Sequence, residues 1–318
     1  MYEKFGQFVD GNWSPSSTGE TYDVINPATE EVLGKASKAS PADVDRALKS
    51  AEKGLQVWKK TAPWQRAYIL RKIADKMREK QDVLAKWMTL EVGKPLAEGK
   101  GEVAGAADIF EWNSEETKRI YGQTVESRFE DTRVHVYYQP VGVVAGLSPW
   151  NFPLVLSSRK ISTALAAGCS VIIKPDVITP GVVMEMIDIC RECGVPAGVV
   201  NLLSGDPPSI ASQLIQSAWS KDPSIGAYLV CGLANTRATL RSDTNSDFDD
   251  TDIEEAIIKH AKSNTQKDLS DNRVSNKPLQ SVTYNILKYA MKLNGKSKKL
   301  SGLNSNEIDY PYLIYHHN

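Results

Sequence analysis

The residues best suited to chemistry stand together in Ser148-Pro149-Trp150-Asn151-Phe152-Pro153. Asparagine offers a carboxamide and serine a hydroxyl, and each can donate or accept a hydrogen bond. The two prolines fix their own φ and push the residue before each of them out of the α region. An amide on so stiff a corner can be aimed at a ligand and held there. The plainer alternative is a connecting loop with a helix start at Phe152-Pro153, and chemistry alone favours it. A second polar group, Lys174, ends the apolar run Ser170-Val-Ile-Ile-Lys174. The thiols offer less. Cys169 follows Gly168 into a strand, and Cys231 in Tyr228-Leu-Val-Cys-Gly-Leu233 reads as a buried apolar cysteine. Cys190 and Cys193 form one CxxC without a second ligand pair, so no metal site is expected. His316-His317 reads as a solvated end, and Glu254 and Glu255 belong to an acidic run with no claim to a base role.

These groups need a scaffold. Val141 to Leu147 is an apolar run before the corner, and Leu154 to Ala167 after it has helical character. Ser170 to Lys174 then reads as a short buried strand, Pro180 to Cys193 as a helix, and Gly198 to Ser204 as another strand. Continuous apolar strands separated by amphipathic helices indicate a parallel α/β sheet. Ligands of such sheets bind outside the carboxyl ends of the strands. Asn151 and Lys174 sit at or just after two of those ends, so both can face one crevice.

Upstream, residues 1 to about 35 carry turn signals and short alternating segments that predict strands or extended arms. Ser40-Pro41 is a helix start, and Val44, Ala47, Leu48, Ala51, Leu55 and Trp58 make one apolar stripe behind it. Pro63 opens a second helix with Ile69, Leu70, Ile73 and Met77 as its buried face, and a third runs from about Gln81 to Leu90. Gly93-Lys94-Pro95 breaks it, and a long helix is expected from Leu96 to Tyr121. Its alternating Glu and Lys residues predict a solvated face rather than a site. Arg133 to Gln139 alternates as a strand does.

A chain of 318 residues has room for two ordinary domains. A formal net charge of -1 gives no electrostatic reason to expect nucleic acid or an anionic membrane as partner. The first residues lack an apolar signal-peptide core, and no apolar run approaches the roughly 20 residues of a spanning helix. Four cysteines do not make a disulfide framework, so a reducing, cytoplasmic setting is expected. The composition changes after a seam near 216–221. Between Gly232 and Gly295 there is no glycine, and Pro278 is the only proline. Helices are plausible at Asp252 to Ser263 and Leu279 to Leu293, but the α/β rhythm is not expected to continue.

Residues 1 to about 216 resemble the N-terminal part of the aldehyde dehydrogenase superfamily. The resemblance rests on Asn26-Pro-Ala-Thr-Glu-Glu, Leu90-Glu-Val-Gly-Lys-Pro, Pro149-Trp-Asn-Phe-Pro, Ala164-Leu-Ala-Ala-Gly168, Lys174-Pro and Gly194-Val-Pro-Ala-Gly-Val-Val-Asn201, in the family's order and spacing. Glu111-Trp through Gly122 and Ser158-Arg-Lys160 resemble the succinate-semialdehyde dehydrogenase group. The resemblance implies an α/β fold with a Rossmann-like parallel sheet flanked by helices: an NAD(P)-binding domain over 1–216 and a β-arm for oligomerisation over about 123–138. Residues 217–318 match nothing in it and are expected to form an irregular or helical tail. The reaction implied is oxidation of a small aldehyde to a carboxylate with NAD or NADP. Asn151 would donate to the oxyanion, Ser148 and Trp150 would line the cofactor cleft with Asn151, and Lys174 would contact the adenosine ribose. Val177 stands where NAD users often carry Glu, which leaves NAD and NADP both open. Arg159 would hold a substrate carboxylate, a task that suits a planar guanidinium.

The second half of the pattern is missing. No Phe-Thr-Gly-Ser, Glu-Leu-Gly-Gly or Gly-Gln-x-Cys segment occurs in the 318 residues. The implied nucleophile and general base are therefore absent from this stretch, and little or no turnover is expected from it. Truncation, frameshift or fusion each produces such a pattern.

Overall fold

The computed structural model describes residues 2–130, 132–220, 228–231 and 314–317. Two hairpins open it: β1 (Gln7–Val9) with β2 (Asn12–Ser14), and β3 (Thr21–Ile25) with β4 (Val32–Ser37). Four helices follow, α1 (Pro41–Trp58), α2 (Pro63–Glu79), α3 (Gln81–Val92) and α4 (Leu96–Thr117). At the start of α1 the Ser40 hydroxyl accepts from the Asp43 amide, and the Asp43 carboxylate accepts from the Ser40 amide. That reciprocal pair satisfies two otherwise orphaned donors. Val44, Ala47, Ala51, Leu55 and Trp58 of the sequence stripe are buried. α3 runs to Val92, where Gly93 takes the left-handed conformation, and α4 stops at Thr117, short of the expected Tyr121. The strands β5 (Gln123–Glu126) and β6 (Thr132–Val136) pair antiparallel within the expected arm.

The α/β part then runs β7 (Val143–Leu147), α5 (Pro153–Ala167), β8 (Ser170–Lys174), α6 (Pro180–Glu192), β9 (Val200–Leu202), α7 (Pro207–Ser220) and β10 (Tyr228–Cys231). The sheet order is β10-β7-β8-β9-β1-β2. The first four strands are parallel, and the hairpin β1–β2 extends the sheet antiparallel to β9. Successive strand residues point to opposite faces. Val144, Val171 and Ile173 join a core with Ile161 and Leu165 of α5 and Val183 and Ile187 of α6. Val143, Ala145 and Ile172 join another with Val44 and Ala51 of α1 and Ile210 and Leu214 of α7. Both faces are covered, which is why these strands are apolar without alternation.

The structure differs from the sequence reading beyond residue 216. The expected seam falls at the end of α7, and β10 adds one more parallel strand against β7. The α/β rhythm therefore continues for one further unit. The last element, β11 (Ile314–His317), pairs antiparallel with β6 and makes the arm three-stranded. The helices expected at 252–263 and 279–293 lie outside the described residues. Among the described residues no helix is long and apolar enough to cross a membrane.

Candidate functional site

The chain lays down β7, β8 and β9 in one direction, then returns to place β10 on the other side of β7. Loops leaving the strands on either side of such a reversal diverge and open a crevice at the carboxyl ends. Ser148 to Phe152 is the loop leaving β7, so the corner stands at the reversal itself.

Its geometry is tied down on both sides. The Ser148 amide donates to the Lys174 carbonyl at 3.0 Å, locking the corner to the end of β8. The Ser148 side chain is 5% exposed, and its Oγ has no hydrogen-bond partner among the described residues. Asn151 is half-buried, and its Oδ1 accepts from the Phe152 amide at 3.1 Å. That bond assigns the amide orientation and leaves Nδ2, the donor end, without a partner among the described residues. Trp150 is 38% exposed beside it.

Lys174 closes β8 with 3% of its surface exposed, and its Nζ makes no hydrogen bond among the described residues. Burial pushes the ammonium down to about 8, and the carboxylates of Asp176 and Asp206 pull it back only in part. Asp176 Oδ1 accepts from the Ile178 amide at 3.1 Å, and the half-buried Val177 between them brings no polar group. The loop after β9 is held close by Gly205, whose φ is +141° and whose added Cβ would lie 2.8 Å from the Ala39 amide. Neither Asp176 nor Asp206 was singled out by the sequence reading. Their placement follows from strand order rather than from any local motif.

Two further residues were missed. α5 and α6 each begin with proline at their first position, and neither has a local side-chain cap. Proline brings no N–H, so the next two amides are the exposed donors. In α5 the Leu154 and Val155 amides both donate to Glu102 Oε1, at 3.0 and 3.1 Å. In α6 the Gly181 amide donates to Glu91 Oε1 at 2.6 Å and the Val182 amide to Oε2 at 3.1 Å. The Tyr2 hydroxyl also donates to Glu91. Glu102 lies on α4 and is 5% exposed, which corrects the expectation that the charges of that helix form a solvated face. Lys94 pairs with Glu102, and its Nζ stands 3.7 Å from the centre of the Phe152 ring. The signal that could have found these carboxylates is a helix opening on proline without a local cap inside an apolar stretch; α2 opens on Pro63 in the same way, but at the surface, where solvent serves the donors.

Arg159 is half-buried and has no ion pair among the described residues. It lies seven residues after Phe152 on the same side of α5, about 10 Å along the axis. The thiols stay protonated. Burial pushes Cys169 up to about 11 and raises Cys190 and Cys193 as well. Cys231 ends β10, and its side chain lies outside the described residues.

The carboxyl ends of β7, β8 and β9 thus carry an amide donor and a hydroxyl without partners among the described residues, a buried ammonium and two carboxylates. That set suits a ligand rich in hydroxyl groups. A model of the aldehyde dehydrogenase family matches residues 13–222. The chain is 37% identical over 282 residues to glutarate-semialdehyde dehydrogenase of Pseudomonas putida, covering 84% of this chain and 59% of that protein. It is 37% identical over 260 residues to an NADP-dependent succinate-semialdehyde dehydrogenase of Escherichia coli, covering 78% of this chain and 54% of that one. An aldehyde dehydrogenase structure from Brucella melitensis biovar abortus superimposes with a TM-score of 0.65 at 39% identity, over 66% of this chain and 44% of the other. Betaine aldehyde dehydrogenase of Staphylococcus aureus, solved with NAD+, gives 0.65 at 32% identity over 66% of this chain and 42% of its own. The chain therefore spans between half and three-fifths of the length of these curated relatives.

Proposed function

The chain belongs to the aldehyde dehydrogenase family, and from that membership we propose that its crevice holds NAD or NADP for oxidation of a small semialdehyde to a carboxylate. One observation carries the reading. Ser148 and Lys174 are both more than nine-tenths buried, stand at strand ends joined by a backbone hydrogen bond, and their hydroxyl and ammonium have no hydrogen-bond partner among the described residues. Buried polar groups are normally paired. Two left open at a strand-order reversal mark where ribose hydroxyls would dock.

In this reading residues 1–216 are the cofactor-binding domain. Lys174 holds the adenosine ribose, Ser148 and Trp150 form the wall beside it, and Val177 lines the same side. When bound, the nicotinamide cofactor supplies the hydride acceptor. The Asn151 amide, its Nδ2 without a partner among the described residues, donates to the oxyanion of an aldehyde under attack. Arg159, on the corner's own helix and without an ion pair among the described residues, takes the carboxylate at the far end of a semialdehyde. The nucleophile and base motifs do not occur in these 318 residues, so the chain alone is proposed to bind cofactor without turning over. Calorimetric titration with NAD and NADP tests the first part. Affinity lost in Lys174→Ala would support it, and wild-type protein that binds neither would refute it. Cysteine-dependent reduction of either cofactor with succinate semialdehyde would refute the second part.

A second reading has its own observation. All four residues of β5, Val125 among them, are exposed at the edge of the arm, and so is Phe129 beyond it. An unpaired edge of this kind adds strands from other chains. In this reading the chain pairs through its arm with full-length subunits of the same family. Co-purification with such a subunit supports it, and a strictly monomeric product in the mixture removes it.

A further inference from the structure

We propose that Glu102 is the positioning residue of the crevice. Its carboxylate, neutralised by Lys94, fixes the Ser148–Phe152 corner and so the direction of the Asn151 amide. This rests on the reading of that corner as one wall of a cofactor crevice.

The argument starts from what the corner lacks. Pro153 has no N–H, Phe152 has no polar side chain, and Asn151 Oδ1 is already taken by the Phe152 amide. Nothing local can accept from Leu154 or Val155, and both donors end on Glu102 Oε1. A buried carboxylate persists only where its lone pairs are filled and its charge is compensated. Glu102 meets both conditions, with two amides on Oε1 and the Lys94 ammonium on Oε2. Lys94 then returns to the corner, its Nζ over the ring of Phe152 at 3.7 Å. The turn between α3 and α4 thus grips the corner at Phe152 and at the first turn of α5. Released from Glu102, those amides would draw the first turn toward solvent, and Asn151, only two residues before Pro153, would move with it. Glu91 caps α6 in the same manner but touches no residue of the corner. Its role is confined to the neighbouring helix.

The test compares wild type with Glu102→Ala, Glu102→Gln and a core variant, Ile73→Val, of α2. Each is titrated with NAD and NADP well below its melting temperature, and amide exchange is followed at 151–155 and along the rest of α5. Glu102→Ala is expected to lose about tenfold in affinity, equivalent to one strong hydrogen-bonded contact. Glu102→Gln keeps an oxygen for the two amides and should stay within about threefold of wild type. Ile73→Val should bind as wild type although less stable. Glu102→Ala that binds as wild type while melting lower would overturn the proposal, because the carboxylate would then serve only the fold. If wild type binds neither nucleotide, the cofactor reading fails by itself, and the exchange data decide on Glu102. Faster exchange confined to 151–155 in Glu102→Ala supports positioning, and uniform loss along α5 overturns it.

Discussion

Raising the pH from 5 to 8 is expected to weaken the fold through Glu91. This side chain is fully buried at the start of α6, and burial pushes its carboxyl up to about 7, against the Tyr2 hydroxyl and the Gly181 and Val182 amides that favour the anion. An unfolded chain would ionise the same group near 4.5. Between those two values the folded protein keeps a proton that the unfolded chain has released. Stability therefore falls as pH rises through the window, and this group adds no further slope above it or below it. The gap between about 7 and 4.5, at about 1.4 kcal/mol per pH unit, amounts to about 3 kcal/mol. Urea midpoints of wild type and Glu91→Gln at pH 5, 6, 7 and 8 provide the assay. The variant begins less stable, because a carboxamide cannot accept from both helix amides. Its deficit relative to wild type should shrink by about 3 kcal/mol across the range. A deficit that stays constant or grows with pH would refute the reasoning, since it would mean that the three donors outweigh burial and keep the carboxylate ionised throughout.

Replacing Lys174 by Met should stabilise the fold at pH 7 by up to about 3 kcal/mol, read as a higher melting temperature, while abolishing most nucleotide affinity. Burial holds its ammonium down to about 8, so folding disfavours the charged form and stability of wild type should rise with pH above that value. A melting temperature below wild type would show the ammonium to be paired. Gly181→Ala should cost about 2 kcal/mol or more, because its Cβ would lie 2.3 Å from the Trp87 ring and 2.8 Å from Glu91 Oε1. An unchanged thermal midpoint would contradict the packing of α6 on α3. Asp43→Ala should cost about 2 kcal/mol at pH 7. Burial alone would raise that carboxyl, but the Ser40 and Ser17 amides and the Ser16 and Ser40 hydroxyls hold it below its ordinary value. The deficit should therefore shrink as pH falls from the ordinary carboxylate value through the depressed one, as acid titration of the denaturation midpoint would read.

What the sequence made legible was what depends on neighbours along the chain. The α1 stripe, the Ser40 cap and the proline corner each rest on residues within a few positions, and each stands where the spacing put it. Lys174 and Asn151 were placed at strand ends because apolar runs show their own limits. That Ser148 Oγ and Lys174 Nζ lack hydrogen-bond partners among the described residues was not legible, since it depends on which strands lie side by side. β10 was missed because the composition changes around it, although its pairing is set by β7. Glu102 was hidden in an alternating series of charges. Its acceptor role is defined by two amides 52 and 53 residues away, and no local rule connects them.

The starts of α1, α5 and α6 give the open groups in the crevice their context. α1 is capped by its own Ser40 and Asp43. At α6 the residue before the proline is Thr179, a type that caps well, yet its Oγ1 is buried and accepts no bond, and the donors go to Glu91 instead. At α5 there is no local capping side chain at all. The carboxylates that complete both helices come from α3 and α4, so the helical layer satisfies the donors at the carboxyl end of the sheet from the side. The loop residues facing the crevice need not turn inward to do so. Buried donors at the helix starts are filled even from tens of residues away, while Ser148 Oγ and Lys174 Nζ beside them are not. Other buried polar atoms are also open among the described residues, Ser157 Oγ, Ser170 Oγ and Thr179 Oγ1 among them, so what sets Ser148 and Lys174 apart is their position at the carboxyl ends of adjacent parallel strands. That position is the reason to propose a ligand there.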